Sequence, residues 1–213
     1  MNLRFLRSHH KYSLLEGNMK AIPKPPGTKR SFICLYYTHN FFKIKKMKIA
    51  ILSDSHDHID NLRKVLEQVK QAKAEAIIFC GDVCSGFSAK ILLELGVPTY
   101  ACFGNNDNDQ AALLRFGDKI KWVGLYEEFG KIELGGKKLA FCHYPKLADL
   151  LSKTDEYDAV FFGHTHQAGM GNHGKTLLLN PGAVCGIKDG KYDEASFAIY
   201  DTDTNSAELD MIK

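Results

Sequence analysis

A chain of 213 residues, 45% hydrophobic and 25% charged, is long enough to bury a full core, and this composition excludes a wholly disordered or low-complexity protein. Its net charge of +3 is unevenly spread: residues 1–46 carry ten Lys and Arg against the single acid Glu16, leaving 18 bases and 24 acids in the other 167 residues. The body is therefore mildly acidic and carries no strong signal of a groove that tracks nucleic-acid phosphates.

The chain opens on a leader. Pro23–Arg30 (PKPPGTKR) is a Pro/Gly/basic break, and no sustained helical or strand period flanks it. Ser31–Phe42 is apolar, but it lies too far in for a secretory signal, lacks a small-residue cleavage site and is too short to span a membrane. Residues 1–46 read as a basic, disordered extension with Met47 as the natural start, a targeting peptide being the lesser alternative. Residues 47–213 read as the functional domain.

From Met47 the pattern alternates. A buried strand over 48–53 (KIAILS) precedes a helix over 59–73, whose apolar residues Ile59, Leu62, Val65, Leu66 and Val69 share one face. Strand 76–80 (AIIFC), helix 88–95 closed by Gly96, strand 99–103 (TYACF) and a short helix 110–116 follow. This β-α-β-α-β-α order predicts a parallel sheet with right-handed crossovers. Strands 129–134 and 137–142 then flank Gly135-Gly136, the best hairpin signal in the chain. A helix over 146–152, strands over 158–162 and 176–179, and a terminal pair over 196–200 and 207–212 complete two facing sheets with helices outside.

Of six cysteines, Cys80, Cys102 and Cys142 lie in apolar strand-like runs as small hydrophobes, and no CxxC pair occurs. A reduced, cytoplasmic setting follows.

Five strand-like runs end on side chains able to bind metal: Asp54 and His56 in SDSHD, Asp82 in CGDVC, Asn105 in FGNND, His143 in FCHYP, and His164 and His166 in FGHTH. Open α/β sheets bind ligands beyond the carboxyl ends of their strands, so five loops deliver seven nitrogen or oxygen ligands to one edge. Seven are too many for one ion. They suit two divalent ions sharing a bridging carboxylate, with Asp82 on its own loop as the natural bridge. Such a pair clamps the attacking and leaving oxygens of a phosphoryl group and activates water as the nucleophile. Any one of these residues alone is more often a turn or surface residue; their joint order carries the reading.

The order D-x-H…GD…GN-x-D…H…GH-x-H resembles the calcineurin-like metallophosphoesterase superfamily, and CHYP with GHTH…LNPGA resembles its small YfcE-type phosphodiesterase branch. The resemblance covers 47–213. It implies a four-layer α-β-β-α sandwich of mixed sheets, within the α/β class. It further implies that Asp54, His56 and His166 hold one ion, that Asn105, His143 and His164 hold the other, and that Asp82 bridges them. Mn is the expected metal, with Ni, Zn, Fe or Mg as alternatives. Many members carry a His after the third-motif Asn, placed to assist the leaving group; here that position is Asn106, which cannot supply a proton. Asp107 is expected to cap the next helix, and LNPGA (179–183) matches a loop near the site.

The implied function is hydrolysis of a small phosphodiester or nucleotide, with Asp82, Asn105, Asn106 and His143 as its catalytic residues. The alternatives are phosphomonoester or nucleotide phosphatase activity, or a protein-interaction scaffold like the retromer subunit of this fold. No membrane span is expected, and an exposed edge strand leaves homo-oligomer formation open.

Overall fold

The structure, a computed structural model, describes residues 45–123 and 128–213. The expectations for the leader fall, except at Lys45 and Lys46, outside the described residues.

Strands β1 (Lys48–Leu52), β2 (Ala76–Phe79), β3 (Thr99–Cys102) and β4 (Ile120–Val123) run parallel. They are linked through α1 (Ile59–Gln71), α2 (Gly86–Leu92) with a 3-10 turn over Leu93–Leu95, and α3 (Gln110–Leu114). Next come β5 (Gly130–Leu134), β6 (Lys137–Phe141), α4 (Pro145–Ser152), β7 (Ala159–Phe161), β8 (Gly169–His173) and β9 (Thr176–Asn180). A short hairpin, β10 (Ile187–Lys188) and β11 (Lys191–Tyr192), precedes β12 (Ser196–Asp201) and β13 (Ser206–Met211). One sheet has the order β13-β12-β1-β2-β3-β4, with β12 and β13 antiparallel; the other has β5-β6-β7-β9-β8, parallel only through β6-β7-β9.

Side-chain alternation along the strands builds the layers. Ala50, Leu52, Ile77 and Phe79 pack with Leu62, Val65 and Val69 of α1. Ile49, Ile51, Ala76 and Ile78 point the other way, onto Leu139, Phe141, Ala159 and Phe161 of the second sheet. That sheet's outer face, Ala140 and Val160, receives Ala148 and Leu151 of α4. Three apolar seams therefore separate helices, sheet, sheet and helix, the expected four-layer α-β-β-α sandwich. Each buried Ile, Leu or Phe in these seams contributes roughly 1.5–3 kcal/mol.

Helix α1 begins where His58 Nδ1 accepts from the Asn61 N–H at 3.2 Å, and it stops at Gln71 rather than Lys73, which has a left-handed φ of 59°. Four strands lack a sequence signal. Gly169–His173 forms β8, in which only pairing with β9 through a two-residue turn makes GMGNH a strand. β4 (IKWV) has Lys121 breaking its apolar run and does not stand out after α3, and the two-residue strands β10 and β11 exist only through each other.

Candidate metal centre

The seven residues singled out above all lie at carboxyl ends of strands, in loops bonded to one another. The Asp54 N–H donates to Gly81 O at 3.0 Å, that of Ser55 to Asp82 O at 3.0 Å, that of Gly163 to His143 O at 3.1 Å and that of Cys185 to Asp54 O at 3.0 Å. Asp54, His56, Asp82, His164 and His166 are five of the eleven non-glycine residues with positive φ among the described residues. A left-handed conformation costs an ordinary residue about 1–2 kcal/mol, and such strain concentrates at functional sites. Here it turns each side chain back over the strand ends. Gly81 (φ 93°) permits a close approach, since a Cβ there would lie 2.5 Å from His143 Nδ1.

The side chains converge in two groups. In the first, His56 Nε2 lies 3.0 Å from His166 Nε2, and Asp54 Oδ1 lies 3.3 Å from His166 Nε2 and 3.8 Å from His56 Nε2. In the second, Asn105 Oδ1 lies 3.0 Å from His143 Nε2 and 2.9 Å from His164 Nδ1, and those two nitrogens are 3.3 Å apart. Asp82 Oδ2 stands between the groups, 3.5 Å from His56 Nε2 and 3.6 Å from His143 Nε2.

These donors fit divalent cations. Asp54 Oδ1 is buried without a hydrogen-bond partner, its approach to His166 being an electrostatic contact rather than an aligned bond. His143 Nδ1 donates to Cys80 O at 2.8 Å, and His166 Nδ1 donates to Ile187 O. Each bond fixes the tautomer that leaves an Nε2 lone pair facing the cluster. Burial alone pushes the Asp54 carboxyl up, but His166, His56 and His143 together outweigh it and hold Asp54 well below the usual carboxylate range. Asp54, then Cys185 and the Ile187 carbonyl, in turn push His166 up to about 11 against the opposing effect of burial.

Asn106, itself exposed, turns to Asp82: its Nδ2 donates to Asp82 Oδ2 at 2.7 Å and its backbone N–H to Asp82 Oδ1 at 2.8 Å. Asp107 is not the helix cap. Its Oδ2 accepts from the N–H groups of Asp82 (2.9 Å) and Gly104 (2.7 Å), and its Oδ1 accepts from that of Cys84 (2.7 Å), so it fastens two motif loops together. Asp109 caps α3 instead, accepting from the Ala112 N–H at 3.0 Å. The LNPGA loop acts through Asn180, whose Nδ2 donates to Gly163 O at 3.0 Å and Thr165 Oγ1 at 2.9 Å, pinning the GHTH loop. Cys84 and Cys185 carried no sequence signal for the site, yet their sulfurs lie 3.8 Å from His56 Nδ1 and 3.9 Å from His166 Nδ1. Burial, with help from Asp107 and Asp82, pushes the Cys84 thiol up to about 12, so it stays protonated.

Residues 47–205 match the family model of the calcineurin-like phosphoesterase superfamily domain. The chain belongs to this superfamily. Phosphodiesterase MJ0936 of Methanocaldococcus jannaschii is 33% identical over 146 residues, 68% of this chain and 88% of that protein. Phosphodiesterase YfcE of Escherichia coli K12 is 26% identical over 175 residues, 75% of this chain and 90% of its own. A solved archaeal phosphodiesterase superposes with a TM-score of 0.69 at 29% identity, covering 78% of this chain and all but 1% of the other. As a calcineurin-like phosphoesterase the chain is a phosphoric ester hydrolase, and divalent-metal use by that family agrees with the nitrogen and oxygen donors gathered here. Among the described residues no helix is long and apolar enough to cross a membrane.

Proposed function

We propose that the chain is a binuclear metal-dependent phosphodiesterase acting on small diesters or nucleotides. Asp54, His56 and His166 hold one ion, Asn105, His143 and His164 hold the other, and Asp82 bridges. The observation that carries this reading is Asp82 Oδ2, within 3.6 Å of a histidine from each group. Cations in these positions supply Lewis acidity, neutralising phosphate charge and easing deprotonation of an attacking water. The donor set favours Mn or Zn over Mg, and Mn is our assignment, with Ni and Fe as alternatives.

The protein's own groups then have distinct tasks. The carbonyls of Cys80 and Ile187 keep protons on the Nδ1 atoms of His143 and His166. Asn106 orients Asp82 with two hydrogen bonds and carries no titratable proton to give a leaving group. Diesters with stable leaving groups suit such a centre better than alkyl monoesters. The names of the relatives support the same choice over a monoesterase or nucleotide phosphatase.

The domain boundary at 46/47 belongs to this proposal, supported by the start of the family match. So does a cytoplasmic location, supported by five unpaired cysteines among the described residues.

The test is turnover of aryl diesters, aryl monoesters and 2′,3′-cyclic nucleotides by the full chain reconstituted with each metal. Two bound ions without turnover of any ester would sink the enzyme reading. Asp82→Ala should abolish activity and lower metal content below one ion per chain; two tightly held ions in that variant would disprove the bridge.

A further inference from the structure

Tyr144 has no part in the core. It is 45% exposed, absent from all three apolar seams, and its hydroxyl makes no hydrogen bond among the described residues. Its ring nevertheless stands edge-on to two candidate ligands, with centroids 5.1 Å from His143 at 76° and 5.1 Å from His164 at 63°. Those two imidazoles are themselves 5.0 Å apart, so the three rings form one cluster on the rim of the second ligand group. Phe87 and Tyr192 are more exposed, but among the described residues only Tyr144 joins an exposed aromatic to the candidate centre.

The ring is also held in place. Tyr144 precedes Pro145 at the first position of α4 and occupies the N-cap in extended geometry (φ −90°, ψ 133°). Its carbonyl accepts from the Ala148 N–H at 3.1 Å, and Pro145 restricts its backbone further. Half-exposed, rigid aromatics of this kind bind planar groups with little loss of conformational entropy.

We infer that Tyr144 is a specificity-determining residue whose ring packs against an aromatic group, aryl or nucleobase, esterified to the phosphate at the metal centre. This rests on the hydrolase reading above and narrows its substrate class. An aromatic partner beside His143 and His164 completes an edge-to-face arrangement that an alkyl group cannot. Stacking of a base on an aromatic side chain is lost on truncation with roughly a five- to hundredfold weakening of binding.

The experiment uses the full metal-loaded chain and compares calorimetric affinities for phenylphosphonate, methylphosphonate and inorganic phosphate, beside kcat/KM on bis(p-nitrophenyl) phosphate. The wild type should prefer phenyl- over methylphosphonate by about five- to a hundredfold. Tyr144→Phe should keep that preference. Tyr144→Leu should lose it, with phosphate affinity unchanged and kcat/KM on the aryl diester reduced chiefly through KM.

A phenyl preference that survives in Tyr144→Leu overturns the inference. So does its loss in Tyr144→Phe, which would assign the effect to the hydroxyl. Equal weakening of all three ligands in Tyr144→Leu would reduce Tyr144 to a support for the histidines. A wild type that hydrolyses esters without any phenyl preference refutes this inference alone, whereas one that hydrolyses none refutes the hydrolase reading as well.

Discussion

Gly163→Ala tests whether the GHTH loop must lie directly against β1 for the centre to form. A Cβ at Gly163 would sit 1.9 Å from Ser53 Oγ, 2.6 Å from Asp54 Oδ2 and 2.9 Å from Ser53 Cβ. Non-bonded heavy atoms settle at about 3.5 Å or more, so the nearest must retreat by about 1.5 Å. Ser53 is fully buried and its hydroxyl donates to Cys80 O at 3.1 Å. Rotating it away leaves a buried hydroxyl unsatisfied, about 1–3 kcal/mol, and overpacking adds about 1–3 kcal/mol. The other relief moves the loop outward. That breaks the 3.0 Å bond from the His164 N–H to Asp54 Oδ2 and carries His164 and His166 off their groups.

A net loss of about 2–4 kcal/mol lowers Tm by roughly 5–15 °C in a chain of this size. A displacement of about 1 Å at the reacting groups costs about a hundredfold in rate. Gly169→Ala is the matched control, because nothing lies within 4 Å of a Cβ there. Both changes reduce the unfolded chain's entropy alike, so their difference isolates the clash. Thermal melts after chelation, metal content by mass spectrometry and aryl-diester turnover read the outcome. If Gly163→Ala matches Gly169→Ala in all three, the close packing described here is wrong.

Asp107→Asn places an NH2 group against one of the three N–H donors that the carboxylate now satisfies; urea denaturation should show a loss of about 2–4 kcal/mol together with weaker metal binding. Asp109→Ala, which removes only a helix cap, should cost about 1 kcal/mol and leave metal content intact. Asn106→His restores a titratable proton beside Asp82, and monoester turnover should rise relative to diester turnover; an unchanged ratio counts against the leaving-group account. In the metal-free chain His166 is raised to about 11, so the stability it adds is complete below its unfolded value near 6.5 and is lost as pH climbs toward the folded one. Asp54, held low, adds stability present above about pH 4 and lost on acidification. Melting temperature after chelation should therefore decline from pH 6 to 9; a flat or rising profile contradicts the coupling.

Much of the fold is legible in the chain because its strands are buried on both faces. KIAIL, AIIF and AVF are largely apolar runs whose ends are marked by Gly, Asp, Asn or His, and burial in a double-sheet sandwich demands that composition. β8 escapes notice for the opposite reason. GMGNH is an exposed edge whose conformation comes from its partner, and its sequence lacks strand propensity. Asp107 is misread as a cap because a local rule for Asp before a helix applies equally to Asp109. Only the crossing of the GD and GN loops shows which carboxylate faces inward.

The sequence by itself determined which side chains reach the strand ends and in what order, since each rides on a strand that its own apolar run defines. Its apolar runs, buried on both faces, also indicated two facing sheets with helices outside, while the four-layer sandwich itself was what the family resemblance implied. Tertiary structure alone decided the distances. His56 and His166 are 110 positions apart and meet at 3.0 Å only because the two sheets pack face to face. The same packing brings Cys84 and Cys185 behind those rings and Tyr144 beside His143 and His164. Such contacts depend on how the layers stack, and no local period or spacing encodes them.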